Sequence, residues 1–255
     1  MNKPLSILSA AILAMSLSAS AQALTTGDMA FTSFNADDDT WALVTFVEIT
    51  ANTDIYFSDN EWLGSAFADS NEHALKWNTG AAAIAAGTVI TFTEIDAATD
   101  IINASIGTLA LNNGTNLGLS KSDETFYAFL GSSGVAPTTF LTAITTENNS
   151  APANITNAGL TLGVNAIALV NDADFGEYTG TRSGEAAFAN YAPMVNDAAN
   201  WNDVASGEFT GNILNNTAFS VAAPIPEADT YAFMALGMGL VSLLARRRSS
   251  RKHAD

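Results

Sequence analysis

Cysteine is absent from this chain, and histidine occurs only twice, at His73 and His253. The first absence excludes disulfides, thiolate catalysis and cysteine metal sites, so a hydrophobic core alone must hold the fold. With one histidine outside the last few residues, the usual zinc site is excluded as well. Basic residues are also scarce: nine Lys and Arg stand against twenty-six Asp and Glu, a formal net charge of −17. Six of the nine lie near the two ends, as Lys3, Arg246, Arg247, Arg248, Arg251 and Lys252. Between residues 24 and 223 only Lys76, Lys121 and Arg182 remain against twenty-three acidic residues, a net charge of −20. Such a field repels nucleic acid and anionic lipid surfaces and attracts cations. Nucleic acid is therefore not an expected partner, and the charge serves solubility or cation binding.

What is present is most informative at the two ends. Lys3 forms a small positive n-region, Leu5 to Leu17 an apolar h-region, and Ala21-Gln22-Ala23 an A-x-A cleavage site. Residues 1–23 therefore read as a signal peptide, cut after Ala23 by signal peptidase during export. At the other end Pro226-Glu227-Ala228 precedes an uncharged apolar run from Tyr231 to Ala245, closed by Arg246-Arg247-Arg248. Fifteen helical residues at about 1.5 Å each reach roughly 22 Å, short of the roughly 30 Å hydrocarbon core. Such a span crosses by thinning the bilayer and snorkelling its arginines, and the basic end at 246–255 stays cytoplasmic. Everything before Pro226 is then outside.

This tail closely resembles the PEP-CTERM sorting signal of Gram-negative bacteria, in which a Pro-Glu-Pro box, a hydrophobic segment and an arginine cluster follow in that order. Ala228 stands where the second proline of that pattern usually lies. The resemblance implies that residues 224–255 are a sorting tail, processed near Pro226-Glu227 by an integral-membrane exosortase, with release or re-attachment at the cell surface. An ordinary C-terminal anchor is the competing reading.

The exported part, residues 24–223, is long enough for one sizeable core, and its pattern is strands throughout. Asp28 to Phe34, Trp41 to Ile49, Ile55 to Phe57, Thr88 to Ile95, Thr125 to Leu130, Thr138 to Ile144, Ala166 to Val170 and Ala218 to Val221 are apolar, β-branched or aromatic runs. Leu117 to Leu119 is a shorter one. In Trp41 to Ile49 both faces carry apolar groups, which predicts a central strand. Asn112-Asn113-Gly114, Gly131-Ser132-Ser133-Gly134 and Asn171-Asp172 supply turn chemistry. Glu185 to Asn190 and Ala81 to Ala86 are the two stretches with helical character. Many short strands between turn clusters predict an all-β sandwich in one domain. Gly27 to Phe31, Ser33 to Asp37, Ile55 to Trp62, Trp77 to Gly80 and Ala199-Asn200-Trp201 resemble secreted bacterial β-sandwich domains of the lamin-tail group. That resemblance implies an immunoglobulin-like sandwich and no defined activity.

Candidate chemistry is sparse. His73 could centre a Ser-His-Asp arrangement, but no G-x-S-x-G elbow accompanies it, and its polar surroundings predict an exposed, uninvolved side chain. Asn35 with Asp37, Asp38 and Asp39, Asp59 with Asn60 and Glu61, and Asn171 with Asp172 and Asp174 are acidic clusters suited to calcium. Asp37, Asp39, Asp59 and Glu61 are the candidate ligands, although no D-x-D-x-D-G loop is present. Solvated carboxylates at strand ends are the alternative. A glycosidase would need two acids about 5–10 Å apart across a cleft, and no pair can be nominated. Of Trp41, Trp62, Trp77 and Trp201, core packing is expected for most, with Trp62, beside Leu63-Gly64, the candidate for a carbohydrate platform. Asn103, Asn113, Asn148, Asn154 and Asn215 open N-x-[ST] sequons. The expectation is a non-enzymatic surface or matrix component, structural or adhesive and associated with exopolysaccharide. A secreted hydrolase or a calcium-dependent carbohydrate-binding module is the alternative.

Overall fold

The computed structural model describes residues 23–69, 72–93, 102–114, 118–147 and 153–223, together with Leu236 and Met238. The expected signal peptide ahead of Ala23 and the expected sorting-tail motifs lie outside these residues. Among the described residues no helix is long and apolar enough to cross a membrane. Fourteen strands are described: β1 (Met29–Asn35), β2 (Thr40–Thr45), β3 (Asp54–Ser58), β4 (Ala74–Asn78), β5 (Val89–Thr93), β6 (Asn103–Ala104), β7 (Thr108–Asn113), β8 (Thr125–Ser133), β9 (Ala136–Thr145), β10 (Ala166–Ala168), β11 (Phe175–Tyr178), β12 (Ser183–Glu185), β13 (Trp201–Val204) and β14 (Ser220–Val221). Two short helices accompany them, α1 (Ala153–Asn157) and α2 (Ala192–Val195).

The strands form two six-stranded sheets, ordered β13-β11-β1-β2-β5-β6 and β10-β9-β8-β3-β4-β7, plus a small β12-β14 pair. Pairing within the large sheets is antiparallel except between β9 and β10. The sheets face each other across an aromatic core, so the chain is an all-β sandwich. Trp41 stacks on Phe92 (5.3 Å, 11°) and meets Phe126 and Phe57 of the opposite sheet edge-on at 4.8 and 5.4 Å. Phe57 and Trp77 reach Phe92 at 5.0 and 5.1 Å. Each buried aromatic removes about 150–250 Å² from water, worth roughly 4–6 kcal/mol as an upper bound. That is how a chain without disulfides is held together.

A β-bulge tunes the first strand. Phe31 pairs with Leu43 and Phe34 with Trp41, and the register shifts between Phe31 and Ser33. Residues three apart normally face opposite sides of a strand. The extra residue at Thr32 puts both phenylalanines on the face that carries Trp41 and Leu43. Every residue of β1 is buried, because both sides of the first sheet are covered. α2 packs on β1, and Tyr178, Tyr191, Val195, Trp201 and Phe219 belong to the same core as Phe31 and Trp41. A second cluster, built from Tyr56, Tyr127, Phe129 and Phe140 with Ile155 and Leu160, covers the other sheet under α1 and the 60–69 loop.

Several expectations change. The run from Trp41 gives the central strand β2 but ends at Thr45, and Ile49 makes only an isolated bridge to Ile84. Residues 81–86 form bends and that bridge, not a helix, because Ile84 is drawn into the core. The 185–190 stretch begins with β12 and passes into a 3-10 turn, Phe188–Tyr191, ahead of α2. Gly118 and Leu119 are not strand; Leu119 is instead buried in the core. Gly131 to Ser133 extend β8, so the hairpin turn narrows to Gly134 and Val135.

Candidate functional site

The ends of β1, β3, β9 and β13 and the starts of β2, β4, β8 and β11 lie together at one pole of the sandwich, and most of the buried charge collects there. Asp59 follows β3 directly and His73 precedes β4 directly. Ser58 and Ala74 are cross-strand partners, so the two side chains meet, and His73 Nδ1 stands 3.0 Å from Asp59 Oδ2. Their side chains are 0% and 4% exposed. Both continue the inward alternation of their strands: Ile55, Phe57, Asp59 on one, His73, Leu75, Trp77 on the other. The expectation of an exposed, uninvolved His73 is therefore corrected. The polar sequence around it conceals an inward-facing strand position.

Glu124, next to the start of β8, completes the pole. Burial, and then the charge on Asp59, push its carboxyl well above the usual carboxylate range, against the Ser120 N–H that it accepts at 3.1 Å and the nearby His73. Its backbone is fixed to Thr146, whose hydroxyl accepts from Glu124 N–H at 3.1 Å. Lys121 on the same turn pairs with buried Asp174 at 3.3 Å. Ser58 is adjacent, but its hydroxyl donates to the His73 carbonyl at 3.0 Å rather than to the imidazole.

The candidate calcium ligands are spread over different tasks. Asp37 Oδ2 accepts from Phe209 N–H at 2.7 Å, Asp38 Oδ2 from Gly211 N–H at 2.6 Å and Asp39 Oδ1 from Leu119 N–H at 2.5 Å. Asp39 and Asp59 are buried and Glu61 is exposed. The alternative of solvated carboxylates at strand ends holds for exposed Asp37 and Glu61 and half-buried Asp38 but not for buried Asp39 and Asp59, and Asp37 to Asp39 also act as acceptors for distant backbone. Among the described residues no group of three or more His, Cys, Asp or Glu is arranged to hold a metal ion. Asp174 Oδ2 also accepts from Gly207 N–H, and Glu177 Oε1 from Asn215 N–H. Together these carboxylates stitch the segment 207–215 across the first sheet.

A second feature lies on the outer face of the other sheet. Residues 60–69 form a small hairpin, closed by the Trp62–Phe67 bridge and by the paired Asn60 and Asp69. Trp62 rests on Phe67 and Phe140 at 5.1 and 5.3 Å. It is half-buried, while Trp41, Trp77 and Trp201 are buried, and Leu63 beside it is 62% exposed. Under it lies Tyr127, whose phenol is pushed up by burial. Asn154, one of the sequon asparagines, is buried in α1, where it donates to Thr125 and Glu147 at 3.0 and 2.6 Å. It is therefore not available for glycosylation in the folded state.

Pro226, Glu227, Ala228, Arg246, Arg247, Arg248 and Ala21 lie outside the described residues. Ala23 is exposed and the next residue, Leu24, is buried in the core, so the expected cut falls at the edge of the fold. Asp174, a member of the third acidic cluster of the sequence, pairs with Lys121 and accepts from Gly207 N–H, whereas Glu124 is not singled out by sequence. Glu124 precedes the run Thr125 to Leu130 as an ordinary loop acid would, and only the folded pole shows that it is enclosed. Comparison with protein-family models, curated proteins and solved structures finds no match.

Proposed function

We propose that this chain is an exported surface or extracellular-matrix protein whose C-terminus is sorted and processed by an exosortase-type membrane protease. The observation that carries the reading is the ordered tail, Pro226-Glu227, the uncharged run Tyr231 to Ala245, and Arg246 to Arg248. The A-x-A site ahead of Leu24, at the rim of the core, supports export through a cleaved signal peptide. We assign the sandwich to the immunoglobulin-like class, in keeping with two mainly antiparallel sheets facing each other. The part it plays is structural or adhesive, in contact with exopolysaccharide. Trp62 favours that contact: a half-buried indole beside exposed Leu63 is the kind of apolar platform on which sugar rings stack.

The test compares localisation and size of the protein in cells with and without the sorting protease, and for Glu227→Ala in cells that have it. A processed surface form that disappears in both cases is the expected result. Unaltered size and location would overturn the reading. Retention on the producer's own exopolysaccharide, lost in Trp62→Ala, tests the adhesive part separately.

A further inference from the structure

We propose that the saccharide met at Trp62 is a polymer of amino sugars with free, protonated amines, and not an acidic polysaccharide. This rests on the adhesive reading above and narrows it to one chemical class.

Charge decides between the two classes at long range. Between residues 24 and 223 three basic residues stand against twenty-three acidic ones, and all three are engaged. Lys76 pairs with Asp54 at 2.7 Å and Lys121 with buried Asp174 at 3.3 Å. The Arg182 guanidinium lies over the Phe219 and Tyr178 rings at 5.1 and 5.7 Å and donates to the carbonyls of Thr217, Asn215 and Tyr178. A polymer of uronate or sulfate groups therefore meets a strongly negative domain whose cations are already occupied. A polymer of ammonium groups meets attraction instead.

The 60–69 hairpin supplies the local contacts. Trp62 and Phe67 pair across it and both lie against Phe140, at 5.3 and 6.5 Å, so alternation puts Glu61 and Leu63 on its solvent side. Both are exposed, and the hairpin contains no Lys or Arg. Exposed Asn157 donates to the Trp62 carbonyl at 3.4 Å. The potential beneath the indole is negative as well. Burial and then the charges of Glu147, Glu61 and Glu124 push the Tyr127 phenol up, against the Trp62 N–H that it accepts at 3.5 Å. A protonated amine over an indole face is drawn by the ring quadrupole, most strongly for tryptophan, and the Glu61 carboxylate offers it a charge-assisted hydrogen bond. An N-acetylated sugar of the same shape keeps the stacking and loses both.

Isothermal titration calorimetry of the purified chain in calcium-free buffer at mildly acidic pH tests this, with a glucosamine oligomer and its N-acetylated counterpart of equal length. The glucosamine oligomer should bind at least about fivefold tighter, and the difference should shrink as salt is added. Trp62→Ala should abolish binding of both, and Glu61→Gln should weaken the amine form alone by about two- to fivefold. Circular dichroism checks that both variants fold, and Glu61→Gln, at an exposed position, carries the test if Trp62→Ala does not. Equal binding of the two oligomers overturns the proposal, leaving Trp62 a platform for neutral sugars. So does an amine preference that neither variant reduces, since it would belong to the domain's charge as a whole, and so does tighter binding of a polyuronate. If neither oligomer binds while the producer's exopolysaccharide is retained through Trp62, the amine class alone is overturned; if that retention also fails, the adhesive reading falls with it.

Discussion

Removing the Asp59 carboxylate tests whether the charged pole holds the sandwich closed. Asp59 and His73 meet at 3.0 Å with side chains 4% and 0% exposed. A pair this far from water gains little net stability from existing, yet loses a great deal when one partner goes, because the other polar group is left buried. Asp59→Ala should therefore cost about 3–5 kcal/mol. For a domain of this size each kcal/mol moves the melting temperature by roughly 2–4 °C, so the loss should be about 6–20 °C. Asp59→Asn keeps an acceptor for the imidazole and should lose clearly less. The half-exposed Lys76–Asp54 pair, at 2.7 Å, is the internal control: solvent screens it, and Asp54→Asn should leave the melting temperature close to that of the parent. The assay is thermal and urea unfolding followed by circular dichroism. If Asp59→Ala melts within about 1 kcal/mol of the parent, the reasoning from burial is refuted.

Glu124 gives the pole a pH signature. A carboxyl raised above its ordinary value of 4.5 binds a proton in the fold that it has lost in the unfolded chain. Its contribution is complete below that value and is lost as pH rises toward the raised one. Glu124→Gln should flatten the decline of melting temperature from about pH 5 upward; an unchanged slope would assign the decline to other groups. Gly107 adopts φ +77°, and a methyl group there would run into the Asn78 carbonyl oxygen and the Trp77 indole nitrogen. Gly107→Ala should destabilise by about 1–3 kcal/mol, seen as a lower urea midpoint. Asp37→Ala removes the acceptor for Phe209 N–H and should speed hydrogen exchange and proteolysis in 207–215 while β8 and β9 stay protected. Calcium should leave the melting temperature unchanged, since the Asp37, Asp38 and Asp39 carboxylates already accept backbone N–H bonds; a rise of several degrees would show that they turn to metal.

Much of the sandwich was legible in the sequence because strand alternation is local. Trp41 and Leu43 share a face as their spacing requires, and the aromatic runs at Ile55, Thr125 and Thr138 became strands. β4, β7, β11 and β13 were not read as strands. Phe175-Gly176-Glu177-Tyr178 carries a glycine and a charge, and it becomes a strand because β1 and β13 flank it. The bulge at Thr32 breaks the period of two, so the joint burial of Phe31 and Phe34 could not be inferred from spacing. The pole was hidden for a different reason. Asp59 and His73 lie one alternation beyond Phe57 and before Leu75, a signal that was there to be found. Which acids they would meet depends on how β3, β4 and β8 are brought together, and no local pattern encodes that.

The stitched segment 207–215 also bears on the order of events in the life of the chain. The turn between the first two strands is completed by backbone 172 and 173 residues further on. A chain threaded through a membrane from its N-terminus would hold Asp37 and Asp38 on the far side, without those acceptor bonds, until almost the whole domain had followed. The turn between β1 and β2 is therefore among the last parts of the fold that N-to-C synthesis or passage can complete.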